Sequence, residues 1–233
     1  MNTLSQPSAT WRSSGWRSSR ASSLRRRCSA RAAKLFAIYR WQGRLEELRE
    51  DIEALASGVI AVPAWRAALA LHQVVRGDVE DGLTGARALV ARLPKIPHDF
   101  FWLSAVTVVS EAVAVCRDAE SAEPLYAALA PFAERHTTHS FGASWGSVER
   151  PLGLLAATLG RHETADAHLR AALAANRAID APMLVAVTQC DHGELLADGG
   201  ERDAARELGA SAERVARRLG LGVLAERAAR LVV

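Results

Sequence analysis

The sequence predicts an all-α protein built as a solenoid of about five helical hairpins followed by a terminal helix. The first observation is composition: the chain of 233 residues is 49% hydrophobic and only 6% aromatic. It is rich in Ala, Leu, Arg and Glu, which are good helix formers. The second is a turn that recurs along the chain with nearly constant spacing, so the helices are expected to form repeats.

The recurrent turns are centred on Gly43, Gly77, Arg117, Gly160 and Gly199. Successive turns are 34, 40, 43 and 39 residues apart. Each joins an apolar run to a segment with acidic residues in its first turn, where the helix dipole favours negative charge. Because two helices and two turns use about 34 to 45 residues, this spacing is typical of helical-hairpin repeats.

A seam of small, large and small residues follows the last two turns and is expected to pack on the preceding helix. Its members are Ala165, Leu169 and Ala172, then Ala204, Leu208 and Ser211. The third turn repeats it in part, and the first two fit less well. In the preceding helix, Leu152 and Gly153 form a pair that would allow close contact between helices.

The pattern predicts helices near 30–41, 44–58, 63–76, 78–93, 99–116, 119–134, 144–159, 162–178, 182–197, 201–219 and 221–231. Pro63 and Pro182 are suited to helix starts. Pro151 conflicts with the seventh helix, which it would kink or start later.

The turn spacing resembles the tetratricopeptide pattern of L-G followed by A-x-x-x-F, with Leu169, Leu208 and Tyr126 at the aromatic position. In that architecture the first helices of the hairpins line the concave side. Trp65, Trp102 and Trp145 are expected early in successive first helices, so they are candidates for a partner groove. The alternative interpretation is core packing between hairpins.

Five phrases in order resemble the C-terminal helical region of large bacterial ATP-binding regulators. They are KLFAIYRWQGRLEEL, PAWRAALALHQVVRGD, AEPLYAALAPFAER, GSVERPLGLLAATLGRHETADAHLRAALAANRAIDAP and ERVARRLGLGVLAERA, within 33–233. The most specific is G-x-V-E-R-x-L-G, which begins at Gly146. Those regulators join an AAA or STAND-type ATPase to a LuxR-type DNA-binding module or an adenylate cyclase domain. The resemblance implies a sensor or interaction arm, with the catalytic parts elsewhere and an ATPase domain of a sister polypeptide as one candidate partner.

The charge distribution divides the chain at its N-terminal tail. Residues 1–40 carry nine basic residues and no acid, whereas residues 41–233 carry 20 basic and 26 acidic residues, a net charge of −6. We expect 1–29 to be a disordered Ser/Arg-rich tail and 30–233 to be the repeat domain. Alternatives for the tail are nucleic-acid binding, a transit peptide or a misplaced start. A further alternative is an orphan fragment without independent function.

No motif in the sequence predicts catalysis, and a cofactor or metal site is not expected. A G-x-x-x-x-G-K-[ST] phosphate loop is absent. His136 and His139 are interpreted as part of a polar loop, and Cys190 and His192 as helix-borne groups beside surface polar residues. The carboxylate pairs are expected on solvated helix surfaces: Glu46 with Glu47, and Asp191 with Glu194. The expected protein is a non-enzymatic, cytoplasmic module that binds a protein or peptide and not a membrane.

Overall fold

The computed structural model describes residues 30–57, 62–139 and 143–233, and within them it confirms the all-α helical-hairpin fold. The prediction of a disordered tail at 1–29 lies outside the described residues. The α-helices are α1 (30–42), α2 (Arg49–Ser57), α3 (Pro63–Arg76), α4 (Val79–Ala91), α5 (Trp102–Val115), α6 (Ala119–Leu129), α7 (Glu149–Thr158), α8 (His162–Ala178), α9 (Pro182–Asp198), α10 (Arg202–Arg218) and α11 (Gly222–Ala229). Short 3-10 helices cover Leu45–Leu48, Leu93–Lys95 and Ala130–Phe132.

The hairpins stack in chain order. The pairs α3/α4, α5/α6, α7/α8 and α9/α10 are antiparallel neighbours, and the first helices α3, α5, α7, α9 and α11 contact one another in series. We call the face formed by these first helices the inner face. The expected boundaries of α3 and α8 are confirmed to the residue, and the others shift by a few residues where 3-10 turns replace a predicted helix end.

The main difference from the expected fold is a β-hairpin between α6 and α7. Strands β1 (His136–His139) and β2 (Ala143–Ser147) are antiparallel, so the helix predicted at 144–159 starts later than expected, and the segment at His136 is a strand where a polar loop was predicted. Gly146 has a φ of +86°, which is incompatible with a helix through this segment. Helix α7 therefore begins at Glu149, and Pro151 lies in its first turn, where its missing N–H costs no hydrogen bond.

Buried polar side chains fix this hairpin to the helices. The hydroxyl groups of Thr107 on α5 and Thr137 on β1 are 2.9 Å apart. The Ser147 backbone N–H donates to the Asn176 side-chain oxygen on α8 at 3.0 Å, and the Asn176 amide donates to the Thr188 hydroxyl on α9 at 3.2 Å. These bonds satisfy groups that would be costly to bury unpaired, so they hold the hairpin between helices of different repeats.

The predicted seam is confirmed in α8, where Ala165, Leu169 and Ala172 are all buried. A methyl group on Gly153 would lie 2.7 Å from Cγ of Leu169, which confirms the close contact of α7 and α8. In α10 the predicted seam was wrong by one residue: its members are only half-buried, and the buried stripe consists of Ala205, Gly209, Ala212 and Ala216. The stripe is shifted because α10 packs on both α9 and α11.

Two glycines of α4 provide a matched test of this packing. A methyl group on Gly82 would lie 2.7 Å from the Ala70 carbonyl oxygen and 2.5 Å from Cγ2 of Val74, whereas one on Gly85 has 3.6 Å to its nearest neighbour. We expect Gly82→Ala to lower the free energy of unfolding by about 1–3 kcal/mol through overpacking. Gly85→Ala should raise it by up to about 1 kcal/mol through helix propensity. Urea unfolding followed by circular dichroism measures both, and equal effects would contradict this account of the α3/α4 contact.

Candidate functional site

Helix α1 does not pack only on the adjacent hairpin, as solenoid repeats ordinarily do. Phe36 contacts Trp145 on β2 with ring centroids 5.6 Å apart, and Arg40 forms an ion pair with Glu111 on α5. Trp41 belongs to an apolar cluster built from α9, α10 and α11. Helix α1 therefore lies across the inner face and contacts α5, strand β2 and the apolar cluster of α9, α10 and α11.

The sequence of α1 suits this position. Its buried residues recur at the helical period and form one stripe: Ala32, Ala33, Phe36, Ala37, Arg40 and Trp41. Alanines allow a close approach to the inner face, and the two aromatic rings supply most of the buried apolar area. Arg31, Lys34 and Ile38 lie on the opposite, exposed side. Helix α1 is thus amphipathic, with three basic residues and no acidic residue.

Beneath α1, the first helices contribute a row of alternating charges along the inner face. This charge row consists of Arg40 on α1, Glu111 on α5, Arg150 on α7, Asp191 on α9, Arg227 on α11 and Glu194 on α9. Among its members Glu111, Arg150 and Asp191 are 2%, 4% and 4% exposed. Buried charges at this density are sustainable only when each has an oppositely charged partner.

The centre of the row is Arg150. Its Nη1 donates to Glu111 Oε1 at 2.8 Å, and its Nε donates to Asp191 Oδ2 at 2.5 Å. The other oxygen of Asp191 accepts from Nη2 of Arg227 at 2.7 Å, and Arg227 also donates to both oxygens of Glu194 at 2.6 Å. Arg150 on α7 therefore bridges carboxylates on α5 and α9, and Arg227 on α11 bridges two carboxylates on α9, which ties α5, α7, α9 and α11 into one polar array.

The pKa values of Glu111 and Arg150 indicate that the centre of the row is ionised. Burial by itself would raise the pKa of Glu111, but the guanidinium groups of Arg150 and Arg40 outweigh burial and lower it to about 2. Burial likewise opposes the charge on Arg150, yet Asp191 and Glu111 outweigh it and raise the pKa of Arg150 above its ordinary value. The three arginines and three carboxylates carry no net charge together, and one of the three positive charges is supplied by α1.

The structure corrects the expectation for Asp191 and its neighbours. Asp191, Cys190 and His192 were predicted beside surface polar groups, but all three are buried because α9 is enclosed by α8, α10 and α11. Nε2 of His192 lies 2.7 Å from Asp166 Oδ1 on α8. Burial raises the pKa of the Cys190 thiol to about 12, so the thiol is protonated at neutral pH and is not poised as a nucleophile. Glu46 and Glu47 are exposed, as expected.

No group of three or more His, Cys, Asp or Glu side chains within 30–57, 62–139 and 143–233 is arranged to hold a metal ion. In the same parts of the chain, no helix is both long and apolar enough to span a membrane.

The three tryptophans expected at a partner groove are all buried and all belong to the main apolar core, although their individual contacts differ. Trp65 on α3 is part of the main apolar core. Trp145 was expected in a first helix but lies on β2, where it contacts Phe36 of α1. Trp102 begins α5 and stacks on His98 with ring centroids 4.1 Å apart. Trp145 contacts α1 on the inner face through Phe36.

A second feature is a cavity of about 970 Å³ between α4 and α6. Its walls are mainly apolar and aromatic, with His98, Trp102 and Phe132 along one side. Arg87 and Glu120 are among its polar lining residues. Nε and Nη2 of Arg87 already donate to the carboxylate of Asp118, at 3.0 and 2.8 Å. The cavity has the size of a small-molecule pocket. Because Arg87 is paired with Asp118, its charge is not available to select a ligand.

Sequence reasoning missed the charge row. Arg150 lies in the G-x-V-E-R-x-L-G phrase, and Asp191 was noted only as one of a surface pair. The available signal was a charge embedded in an apolar stretch of a first helix: Glu111 lies within WLSAVTVVSEAVAV, whereas Asp191 lies in the polar sequence TQCDHGE and gives no such signal. A single charge in such a run predicts a buried ion pair, although its partner cannot be identified from spacing.

Comparisons with known proteins leave the family open. No protein-family model and no curated protein matches the chain. Among solved structures, BtubC (BKLC) from P. vanneervenii is similar, with a TM-score of 0.45 and 16% sequence identity, covering 84% of this chain and 88% of that one. A similarity of this size establishes neither a shared family nor a shared function.

The pH dependence of stability tests the charge row. A change of the Glu111 pKa from 4.5 in the unfolded chain to about 2 in the fold corresponds to about 3 kcal/mol of stability. Because the folded pKa is lowered, this stability is present above pH 4.5 and is lost as the pH falls toward 2. We expect Glu111→Gln to reduce the free energy of unfolding by about 3–5 kcal/mol at pH 7.

The difference between the wild type and Glu111→Gln should shrink below pH 4.5, because the carboxylate is then protonated in the unfolded chain while it stays ionised in the fold until the pH approaches 2, which lowers the free energy of unfolding of the wild type. Urea titrations at pH 7, 4.5 and 3 measure it. Glu47→Gln is the matched control, since Glu47 forms only an exposed pair with Arg44. A pH-independent difference for Glu111→Gln would contradict an ionised, buried Glu111.

Proposed function

We propose that this chain is a non-enzymatic helical-repeat interaction module that binds a segment of a partner protein on its inner face. The observation that carries the proposal is the seating of α1: an amphipathic helix crosses the first helices of several repeats and inserts Arg40 into a buried charge row. A face that holds one helix in this way has the apolar contact area and the charged anchor that recognition of a helix requires.

The resemblance in sequence to the arms of bacterial ATP-binding regulators supports the same proposal from another direction. In that setting the module acts in the cytoplasm as a sensor or interaction arm, and its partner is an ATPase domain on the same or a sister polypeptide. Binding would act by changing the relative positions of hairpins, because the charge row joins α5, α7, α9 and α11 into one array.

Site-specific photo-cross-linking tests the proposal on the full chain. Val223 on α11 is 38% exposed and lies at the edge of the inner face, where its Cγ2 would be 3.3 Å from a methyl group on Gly43. Replacing Val223 by p-benzoylphenylalanine should give covalent adducts with a defined protein partner, identified by mass spectrometry of cross-linked peptides.

The control position is Arg170 on α8, a second helix of its hairpin, whose side chain is 68% exposed. The same photoreactive residue at Arg170 should give no adduct with that partner. Adducts with a partner at Arg170 but none at Val223 would contradict binding on the inner face.

A further inference from the structure

We infer that a helix of a partner protein can displace α1 and bind at the same site on the inner face. This partner helix bears an arginine beside aromatic residues. This inference rests on the proposed function and specifies both the partner and its regulation. The partner segment is a basic amphipathic helix with an aromatic residue four positions before the arginine and another directly after it, in the arrangement of Phe36, Arg40 and Trp41.

The first argument is that the charge of the inner face complements a basic helix. Without α1, the inner face retains the carboxylates Glu111, Asp191 and Glu194 against the guanidinium groups of Arg150 and Arg227, a net charge of −1 in a row whose central members are buried. Any helix that replaces α1 must bring one positive charge to Glu111, because an apolar replacement would leave that charge uncompensated. An acidic segment would be excluded by repulsion.

The second argument is the shape of the inner face where α1 packs. The stripe that α1 buries consists of alanines, two aromatic side chains and Arg40, so the inner face is shaped for a narrow helix with one aromatic residue in the middle of the contact and another at its C-terminal end. Phe36 meets Trp145. The guanidinium of Arg40 also lies 4.4 Å from the ring centroid of Trp41, so the arginine and the following aromatic residue form one recognition unit.

The third argument is the short connection between α1 and the rest of the chain. Helix α1 ends at residue 42, and only the turn at Gly43 and Arg44 separates it from the 3-10 helix that begins at Leu45. The repeats from α3 to α11 contact one another without α1. Rotation at this turn therefore lifts α1 from the inner face while the stacked hairpins stay together, and a partner helix gains the same site.

A peptide-binding experiment on the full chain tests the inference. The recipient is the Phe36→Ala/Arg40→Ala variant, in which α1 has lost its anchors, and the probe is a fluorescent peptide of residues 30–42 with capped ends. We expect saturable binding by anisotropy, and binding at least about 10-fold weaker to the wild type, because its own α1 competes at a high effective concentration.

Two altered peptides make the test specific. A peptide carrying Arg40→Glu should bind at least about 100-fold more weakly, since it places a carboxylate against Glu111. A peptide carrying Lys34→Glu makes the same change of charge on the exposed side of α1 and should bind within about 3-fold of the original. Absence of binding to a variant that is folded by circular dichroism, or equal weakening by both changes, would overturn the inference.

Hydrogen exchange of the unaltered chain keeps the inference testable if the variant does not fold. Amides of α1 should exchange through an opening that is at least about 10-fold more frequent than the opening of α7 and α9. Protection of α1 equal to that of α9 would show that α1 leaves only on global unfolding, which would overturn the inference. Partner adducts at Val223 would then still support the proposed function, so the two failures are distinguishable.

Discussion

The buried charge row is the constraint on which the inner face depends. Four successive first helices contribute to the row, and Glu111, Arg150 and Asp191 lie in an environment that would reject an isolated charge, so each of them is stable only beside its neighbours. A stack of apolar seams could tolerate small shifts between hairpins. An alternating row of guanidinium and carboxylate groups tolerates them less, because the paired hydrogen bonds of Arg227 with Glu194 and of Arg150 with Glu111 fix the distance and the orientation of those groups. The row therefore determines the register of α5, α7, α9 and α11.

The same constraint explains why α1 lies where it does. Glu111 faces two arginines, one from α7 and one from α1, and their combined effect keeps its pKa at about 2 despite complete burial. Apolar contacts of Phe36 and Trp41 alone would permit several positions of a short helix on an apolar surface. The requirement that Arg40 pair with Glu111 selects one of these positions. The aromatic contacts therefore supply most of the affinity of α1 for the inner face, and the ion pair determines where α1 binds.

The sequence was sufficient for the helical-hairpin architecture, because Gly and Asp turns punctuate apolar runs that are long enough for helices. It failed where tertiary contacts override local pattern. The strands around Trp145 form because Thr137 and Ser147 find partners on α5 and α8, which no local signal encodes. The buried Asp191 was misjudged as a surface residue because its partners, Arg150 and Arg227, are distant in sequence. The route of α1 across the inner face depends on similar long-range contacts.

A double-mutant cycle between Arg40 and Glu111 tests the central claim most directly. Unfolding free energies of Arg40→Met, Glu111→Gln and the double variant give the coupling energy of the pair, with the exposed Arg44 and Glu47 pair as the reference. A coupling of about 2 kcal/mol or more for Arg40 and Glu111, against less than about 0.5 kcal/mol for the reference pair, is the predicted result. Equal, small couplings for both pairs would contradict the claim that α1 is held on the inner face by the buried charge row.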